Sequence, residues 1–270
     1  MAAKKRQSTP KTAMKDDRAA TKAAPTATRL SGKVAVITGG NRGIGLAIAR
    51  SLVLEGCNVL ITGRNSAALR QAKKDLDALA ASLKPQPEVI AKSCDLRQAD
   101  SVTAAFAAVA KHWGRLDVLV NNAGVSQPMT SVEKTPLGLW NEVIETNLTG
   151  LFLCTHAALP LMTRGAIVIN NLSVAAKQIF VNFAAYNASK HGGLGFTLTL
   201  REELIPRGIR VMALMPGPTD TAIWEQFWPN APRNRMLKAE SVAQAVLSAV
   251  LLPANANLTE LILVPIKGAL

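Results

Sequence analysis

The sequence predicts a doubly wound α/β fold, a parallel sheet covered by helices on both faces. Three observations carry this. Seven short apolar runs alternate with segments of helical character, regularly from residue 33 to residue 264. Apolar residues make up 49% of the chain but aromatics only 4%, so the core must be built from Ala, Val, Ile and Leu, as in a sheet buried on both faces. At 270 residues the chain suffices for one large domain, and neither an internal repeat nor a second domain is visible.

Residues 1–29 read as a basic tail. The first thirty residues carry eight Lys or Arg against Asp16 and Asp17, which supplies +6 of the net +13. With almost no large apolar residue before Leu30, the tail cannot bury a core segment and is predicted to be disordered. Residues 30–270 form the predicted domain. The first strand is Lys33–Thr38, followed by the turn Gly39-Gly-Asn-Arg-Gly-Ile-Gly45 and an amphipathic helix, Leu46–Glu55. Strand, glycine turn and helix in that order form a dinucleotide-binding arrangement. Its glycines let the backbone approach a pyrophosphate, and the helix N-terminus holds the anion. Gly39, Asn41, Arg42, Gly43, Ile44 and Gly45 are the candidate contacts in this turn.

The second strand is Asn58–Thr62. Here an acidic residue would bind the adenosine ribose, but none stands between Cys57 and Lys74. Arg42 and Arg64 are available instead and suit a 2′-phosphate, so NADP(H) is the expected cofactor. A polar helix, Ser66–Ser82, and a Pro85/Pro87 turn lead to a third strand, Glu88–Ser93, which ends in Cys94-Asp95-Leu96. The helix Ala99–His112 and the strand Leu116–Val120 follow, the latter running into Asn121-Asn-Ala-Gly124, small and amide residues that allow close approach to a cofactor. One long helix is expected from Leu137 to about Met162. Asn147 inside it needs a bonding partner, because an unpaired buried amide is costly. The fifth strand is Gly165–Ile169, and the sixth, Ile209–Leu214, leads into Met215-Pro-Gly-Pro-Thr-Asp-Thr221. Trp224, Phe227 and Trp228 come next, then a helix at Ser241–Leu252 and a last strand, Leu261–Val264.

Ser173 to Lys190 is the stretch with chemistry in it. Tyr186 and Lys190 are four apart, so on a helix they leave one face a turn apart. A cation there would favour phenolate and lower the tyrosine from its ordinary value of about 10. Tyr-x-x-x-Lys alone also arises by chance. Here, though, Tyr186 is the sole tyrosine of the chain, and Ser173 stands at a strand end, where α/β proteins place ligands.

Taken together the motifs closely resemble the short-chain dehydrogenase/reductase family. They are Thr38-Gly-x-x-x-Gly-x-Gly45, Asn121-Asn-Ala-Gly124, Ser173-x12-Tyr186-x3-Lys190 and Pro216-Gly217, in order over Leu30 to Leu270. The resemblance implies a single Rossmann-type domain with a seven-stranded parallel sheet in the order 3-2-1-4-5-6-7. It also implies nicotinamide chemistry on a ketone or alcohol, and a homodimer or homotetramer. It makes Tyr186 the acid that protonates the substrate oxygen and Ser173 a donor to the same atom. Lys190 would bind the nicotinamide ribose, and Asn147 would hold a water that links Lys190 to solvent. Asp95 and Leu96 would lie at the adenine, and Asn122, Ala123 and Gly124 along the adenosine side. Pro216, Gly217, Thr219 and Thr221 would surround the carboxamide. The ending Pro253 to Pro265 lacks the glycine-rich terminus of many 3-oxoacyl carrier-protein reductases, so the substrate stays open among 3-oxoacyl, hydroxy-acid and other small secondary alcohols.

Other classes fit less well. Three scattered cysteines and three histidines form no zinc or disulfide pattern, so no metal is expected and a reducing, cytoplasmic setting is the natural one. The uncharged run Thr146–Thr163 carries Asn147, His156 and Pro160 and reads as a buried helix rather than a membrane span. A dinucleotide-binding sensor or scaffold without turnover is the alternative, but it would not need Asn147, Ser173, Tyr186 and Lys190 together. No nucleic-acid partner is expected, the basic tail being the one feature that would favour it.

Overall fold

The computed structural model describes residues 28–268. Most of the predicted tail therefore lies outside the described residues. Thr28 and Arg29 already pack on the domain: Thr28 lies against Gly56, and Arg29 pairs with Glu55.

Seven parallel strands form one sheet in the order β3-β2-β1-β4-β5-β6-β7. They are β1 (Val34–Ile37), β2 (Asn58–Gly63), β3 (Val89–Ser93), β4 (Leu116–Asn121), β5 (Met162–Asn171), β6 (Arg210–Pro216) and β7 (Glu260–Leu263). The pleat divides their apolar residues between two cores. Ala35, Ile37, Val59, Ile61, Val118 and Val120 face α1 (Gly43–Leu54), α2 (Ser66–Ala80) and α7 (Ala239–Val250). Val34, Val36, Leu60, Leu119 and Val168 face α3 (Ala99–Trp113), α5 (Gly150–Ala158) and α6 (Ala184–Leu204). Both faces of the sheet are thus covered, which is why its strands read as unbroken apolar runs instead of alternating ones.

The long helix expected from Leu137 to about Met162 is present as one helical run from Leu137 to Leu161, made of α4 (Leu137–Ile144), a π-helical turn (Glu145–Thr149), α5 and a tighter last turn at Leu159–Leu161. Pro160 has no N–H to continue the helical ladder, and the chain enters β5 already at Met162. The π turn widens the helix where Asn147 sits, and such turns gather at functional positions. No helix among the described residues is long and apolar enough to cross a membrane.

The order reverses between β1 and β4, which pair directly with each other. Connections leave those two strands in opposite directions, so a crevice opens at their carboxyl ends. All the site residues named above gather at that edge of the sheet or just behind it.

Candidate active site

The crevice is a cavity of about 970 Å³, at the upper end of the ~300–1,000 Å³ usual for a ligand site. One end is made by the β1–α1 turn. Gly39 has φ +63°, which a residue without a Cβ adopts at no cost. A Cβ on Gly45 would lie 2.4 Å from the Gly39 carbonyl oxygen and from Asn122 Nδ2, so the helix can approach the turn only because that position is glycine. No side chain caps the N-terminus of α1, leaving its first-turn amides directed at the cavity. Asn122 fixes the facing strand end: Nδ2 donates to Thr38 O at 2.9 Å, and its Oδ1 accepts from Asn171 Nδ2 at 2.9 Å.

Arg42 and Arg64 line the same end, and no acidic residue of β2 does. Arg64 is loosely paired with Glu142, 3.8 Å away at the surface. Asp95 lines the wall nearby. Its carboxylate is gripped by Arg97, with Nη2 2.6 Å from Oδ2, which holds it below the usual carboxylate range.

The centre of the cavity holds the Ser-Tyr-Lys group. Ser173 follows β5, and its Oγ accepts from Ala175 N at 3.1 Å, so the serine itself starts the next turn. It lines the cavity together with Tyr186 and is the one neighbour that favours the phenolate. Lys190, one turn along α6, places Nζ 5.5 Å from the centre of the Tyr186 ring and donates to Asn171 O at 3.4 Å. Burial pushes the lysine down to about 8. It also pushes the tyrosine above its ordinary value, partly opposed by Ser173. Tyr186 is half-buried on the cavity wall. The expectation of a phenol lowered by Lys190 is not met for the chain by itself: desolvation is the largest influence and pushes the phenol up, and Lys190 Nζ stands 5.5 Å from the ring centre.

Asn147 and Gly45 do not line the cavity; both stand behind it. Asn147 Oδ1 accepts from Val125 N at 2.8 Å, and Nδ2 donates to Val125 O at 2.9 Å and Ser189 Oγ at 3.1 Å. Both Nδ2 hydrogens are thus in use, while Oδ1 accepts a single bond and keeps a second lone pair. The remaining candidates, Gly39, Asn41, Arg42, Gly43, Ile44, Arg64, Asp95, Leu96, Asn122, Ala123, Gly124, Pro216, Gly217, Thr219 and Thr221, all line the wall with Ser173, Tyr186 and Lys190.

The sequence reading missed some features. Gln127 is fully buried: Oε1 accepts from Tyr186 N at 2.9 Å and Nε2 donates to Asn182 O at 3.4 Å. It clamps the start of α6 where the tyrosine stands. Thr146 and Asn171 were not picked out at all. Both line the cavity, and Thr146 Oγ1 and Asn171 Oδ1 are buried polar atoms without a protein partner. A threonine and an asparagine at strand or helix ends give no sequence signal to distinguish them from structural ones.

Comparison with known proteins supplies a second line. A family model described as short chain dehydrogenase matches residues 33–232. The chain is 35% identical over 242 residues to the 3-oxoacyl-(acyl-carrier-protein) reductase of Synechocystis sp., covering 86% of this chain and 94% of that one. It is 36% identical over 205 residues to 15-hydroxyprostaglandin dehydrogenase (NAD(+)) of Homo sapiens, covering 73% and 72%. Among solved structures, an alcohol dehydrogenase from Thermococcus sibiricus complexed with 5-hydroxy-NADP superposes with a TM-score of 0.78 at 28% identity, over 87% of this chain and 97% of that one.

Proposed function

This chain belongs to the short-chain dehydrogenase/reductase family of oxidoreductases, and from that premise we propose that it interconverts a ketone and a secondary alcohol with NADP(H). The observation that carries the reading is one cavity wall holding Ser173, Tyr186 and Lys190 together, with the lysine Nζ 5.5 Å from the centre of the tyrosine ring.

The residues present fit a nicotinamide dinucleotide. Backbone comes close at Gly39 and Gly45, the first turn of α1 is uncapped, and two unpartnered polar atoms, Thr146 Oγ1 and Asn171 Oδ1, stand on the wall. Gly39, Asn41, Gly43 and Ile44 would hold its pyrophosphate and Lys190 its nicotinamide ribose. Asp95 and Leu96 would border the adenine, and Pro216, Gly217, Thr219 and Thr221 the carboxamide. When bound, the nicotinamide gives or takes the hydride. Arg42 and Arg64, with no β2 carboxylate to repel a 2′-phosphate, support NADP over NAD. Relatives and neighbours include proteins named for NAD(+) and for NADP alike, so the preference rests on those two guanidiniums.

The proton chemistry follows from the chain's own groups. A carbonyl oxygen set between Ser173 and Tyr186 takes a hydrogen bond from each, which stabilises the charge that grows there. Tyr186 gives up its proton as the alkoxide forms. In the reverse direction its phenolate removes the alcohol proton. Burial keeps the phenol protonated at neutral pH, which suits it to act as the acid in ketone reduction. Lys190, at about 8, is still cationic at pH 7 and compensates the phenolate left behind. Asn147 and Gln127 position the group: one holds the Val125 loop, the other the start of α6.

The test is nucleotide oxidation followed by absorbance against a panel of ketones, with titration of NADPH and NADH binding. NADPH should bind at least about tenfold tighter, a difference that one charge-assisted pair can supply. Equal affinities would sink the cofactor assignment, and loss of no activity in Tyr186→Phe would sink the chemistry.

A further inference from the structure

The part of the cavity beyond Tyr186 differs from the rest in charge and in wall material. Among the residues lining the whole cavity, only Arg42, Arg64, Asp95 and Lys190 are charged. The first three stand at the α1–α2 corner, and Lys190 lies under the tyrosine. Past Tyr186 the wall is a run of rings. Phe183 meets Tyr186 edge to face at 6.4 Å between ring centres, Phe227 meets Phe183 at 5.5 Å, and Trp224 lies 5.0 Å from Phe227. Trp228 extends the run at 6.1 Å from Trp224. The Trp224 indole N–H is already given to Thr219 O at 2.8 Å, so this tryptophan offers ring faces and no donor. Met129, Phe180 and Val181 line the same cavity and are all exposed. Exposed large apolar side chains gathered at one opening mark a surface that an apolar ligand covers.

We propose that the substrate is an uncharged ketone whose carbonyl is carried by, or adjacent to, an aromatic or alicyclic ring system, and that the ring lies along Phe183, Phe227 and Trp224. This deepens the oxidoreductase reading and rests on it. The bond changes are those already given: hydride from the nucleotide to the carbonyl carbon, and a proton from Tyr186 to the oxygen. Rings stack or meet edge to face on such a wall with specific geometry. A carboxylate or phosphate placed there would be stripped of water with no cation among the lining residues to receive it. Short keto acids and phosphorylated ketones are disfavoured on that ground, and so is a charged carrier arm running out past the rings.

The test compares 2-tetralone, a tetralone bearing a carboxylate, acetoacetate, and a 3-oxobutanoyl thioester as the N-acetylcysteamine and carrier-protein forms. The full-length protein with NADPH is used throughout. The value of kcat/KM for 2-tetralone should exceed that for its carboxylated analogue and for acetoacetate by on the order of 10²-fold or more. Phe227→Ala should lower the ratio of 2-tetralone to acetoacetate at least about tenfold, acting through KM. Should that variant not fold, Val181→Lys at the exposed rim should narrow the gap between tetralone and its carboxylated analogue. Binding is read separately: a naphthyl ketone should quench tryptophan fluorescence in the nucleotide complex, and Trp228→Phe should remove much of that quench. If acetoacetate or either thioester is preferred over 2-tetralone, the ring proposal is overturned while the oxidoreductase reading stands. If no carbonyl of any class consumes nucleotide although nucleotide binds, both fall together.

Discussion

At the nucleotide end of the cavity the wall is backbone and short polar side chains, tied to the sheet by bonds such as Asn122 to Thr38 and Asn171 to Asn122. At the other end it is ring faces, carried on the segment after β5 and the segment after β6, and what they present to the cavity is apolar, the Trp224 N–H being given to Thr219 O. The first kind of wall fixes where a reacting atom sits. The second fixes only what shape and polarity may approach it. A change in the first should therefore cost rate or binding of every substrate alike, and a change in the second should alter choice among substrates.

The largest effect should come at the junction of the two. Tyr186→Phe removes one hydroxyl and keeps the ring that meets Phe183. Turnover should fall by a factor on the order of 10² to 10⁴ for every ketone tested, with nucleotide affinity retained. A loss confined to some substrates would place the tyrosine in the selecting wall rather than the reacting one. Next in size is Gly45→Ala. Its methyl would lie 2.4 Å from the Gly39 carbonyl oxygen, a backbone atom that cannot swing aside. Dinucleotide affinity should drop on the order of 10²-fold, and unfolding should become easier by about 1–3 kcal/mol, the usual cost of overpacking. Titration calorimetry and thermal melts check the two parts. Unchanged affinity would mean that the turn has room to move.

The same contrast explains what was legible in the sequence. The nucleotide end is specified by backbone shape, and backbone shape leaves glycines at fixed spacing: Gly39, Gly43 and Gly45 could be placed from the sequence, while the sheet order came from the family resemblance of the motifs taken together. Tyr186 and Lys190 were legible because a helix converts a spacing of four into one face. Gln127 was not legible because its partner, the amide of Tyr186, is 59 residues away and no local pattern links them. Thr146 and Asn171 were missed because they are ordinary residues made special by burial. The π-helical turn around Asn147 was not legible, because a local widening of a helix leaves no distinct spacing of apolar residues. For the tyrosine, spacing reveals a neighbouring cation and says nothing of desolvation, which in the chain by itself pushes the phenol up.

A smaller effect is expected at the outer edge of the nucleotide end. Arg64 is exposed and held only loosely by Glu142, so its side chain is available to a 2′-phosphate at little reorganisation cost. Arg64→Asp should reduce the preference for NADPH over NADH about tenfold or invert it, leaving selection among ketones unchanged. A shift in ketone selection in this variant would break the division between the two walls.

The smallest effect concerns the stability of the site and tests whether Lys190 is as strongly desolvated as its position implies. Its value of about 8 lies below the 10.5 of a free lysine because burial disfavours the cation. Below pH 8 both folded and unfolded chains carry the proton, and the folded state bears the full cost of the buried charge. Between pH 8 and 10.5 the unfolded chain binds more protons than the folded one, so this group's contribution to stability rises with pH in that window. Cys57, Cys94 and Cys154 act in the opposite sense. Burial raises all three thiols, so the unfolded chain alone ionises them near pH 9 and stability falls there. Tyr186, also raised, adds a further loss above pH 10. The total curve can thus be nearly flat even if the lysine behaves as described. The informative quantity is the difference between Lys190→Met and the parent protein, in which the cysteines cancel. At pH 7 the methionine variant should be the more stable of the two, since it fills the space without a charge. That advantage should shrink by about 1 kcal/mol by pH 9, as the parent's lysine sheds its proton. Denaturant unfolding at pH 7, 8 and 9 without nucleotide measures it. An advantage that stays constant over the range would mean that the ammonium remains solvated through the cavity, and that it is held by its contacts at an ordinary value rather than stored there at a cost in stability.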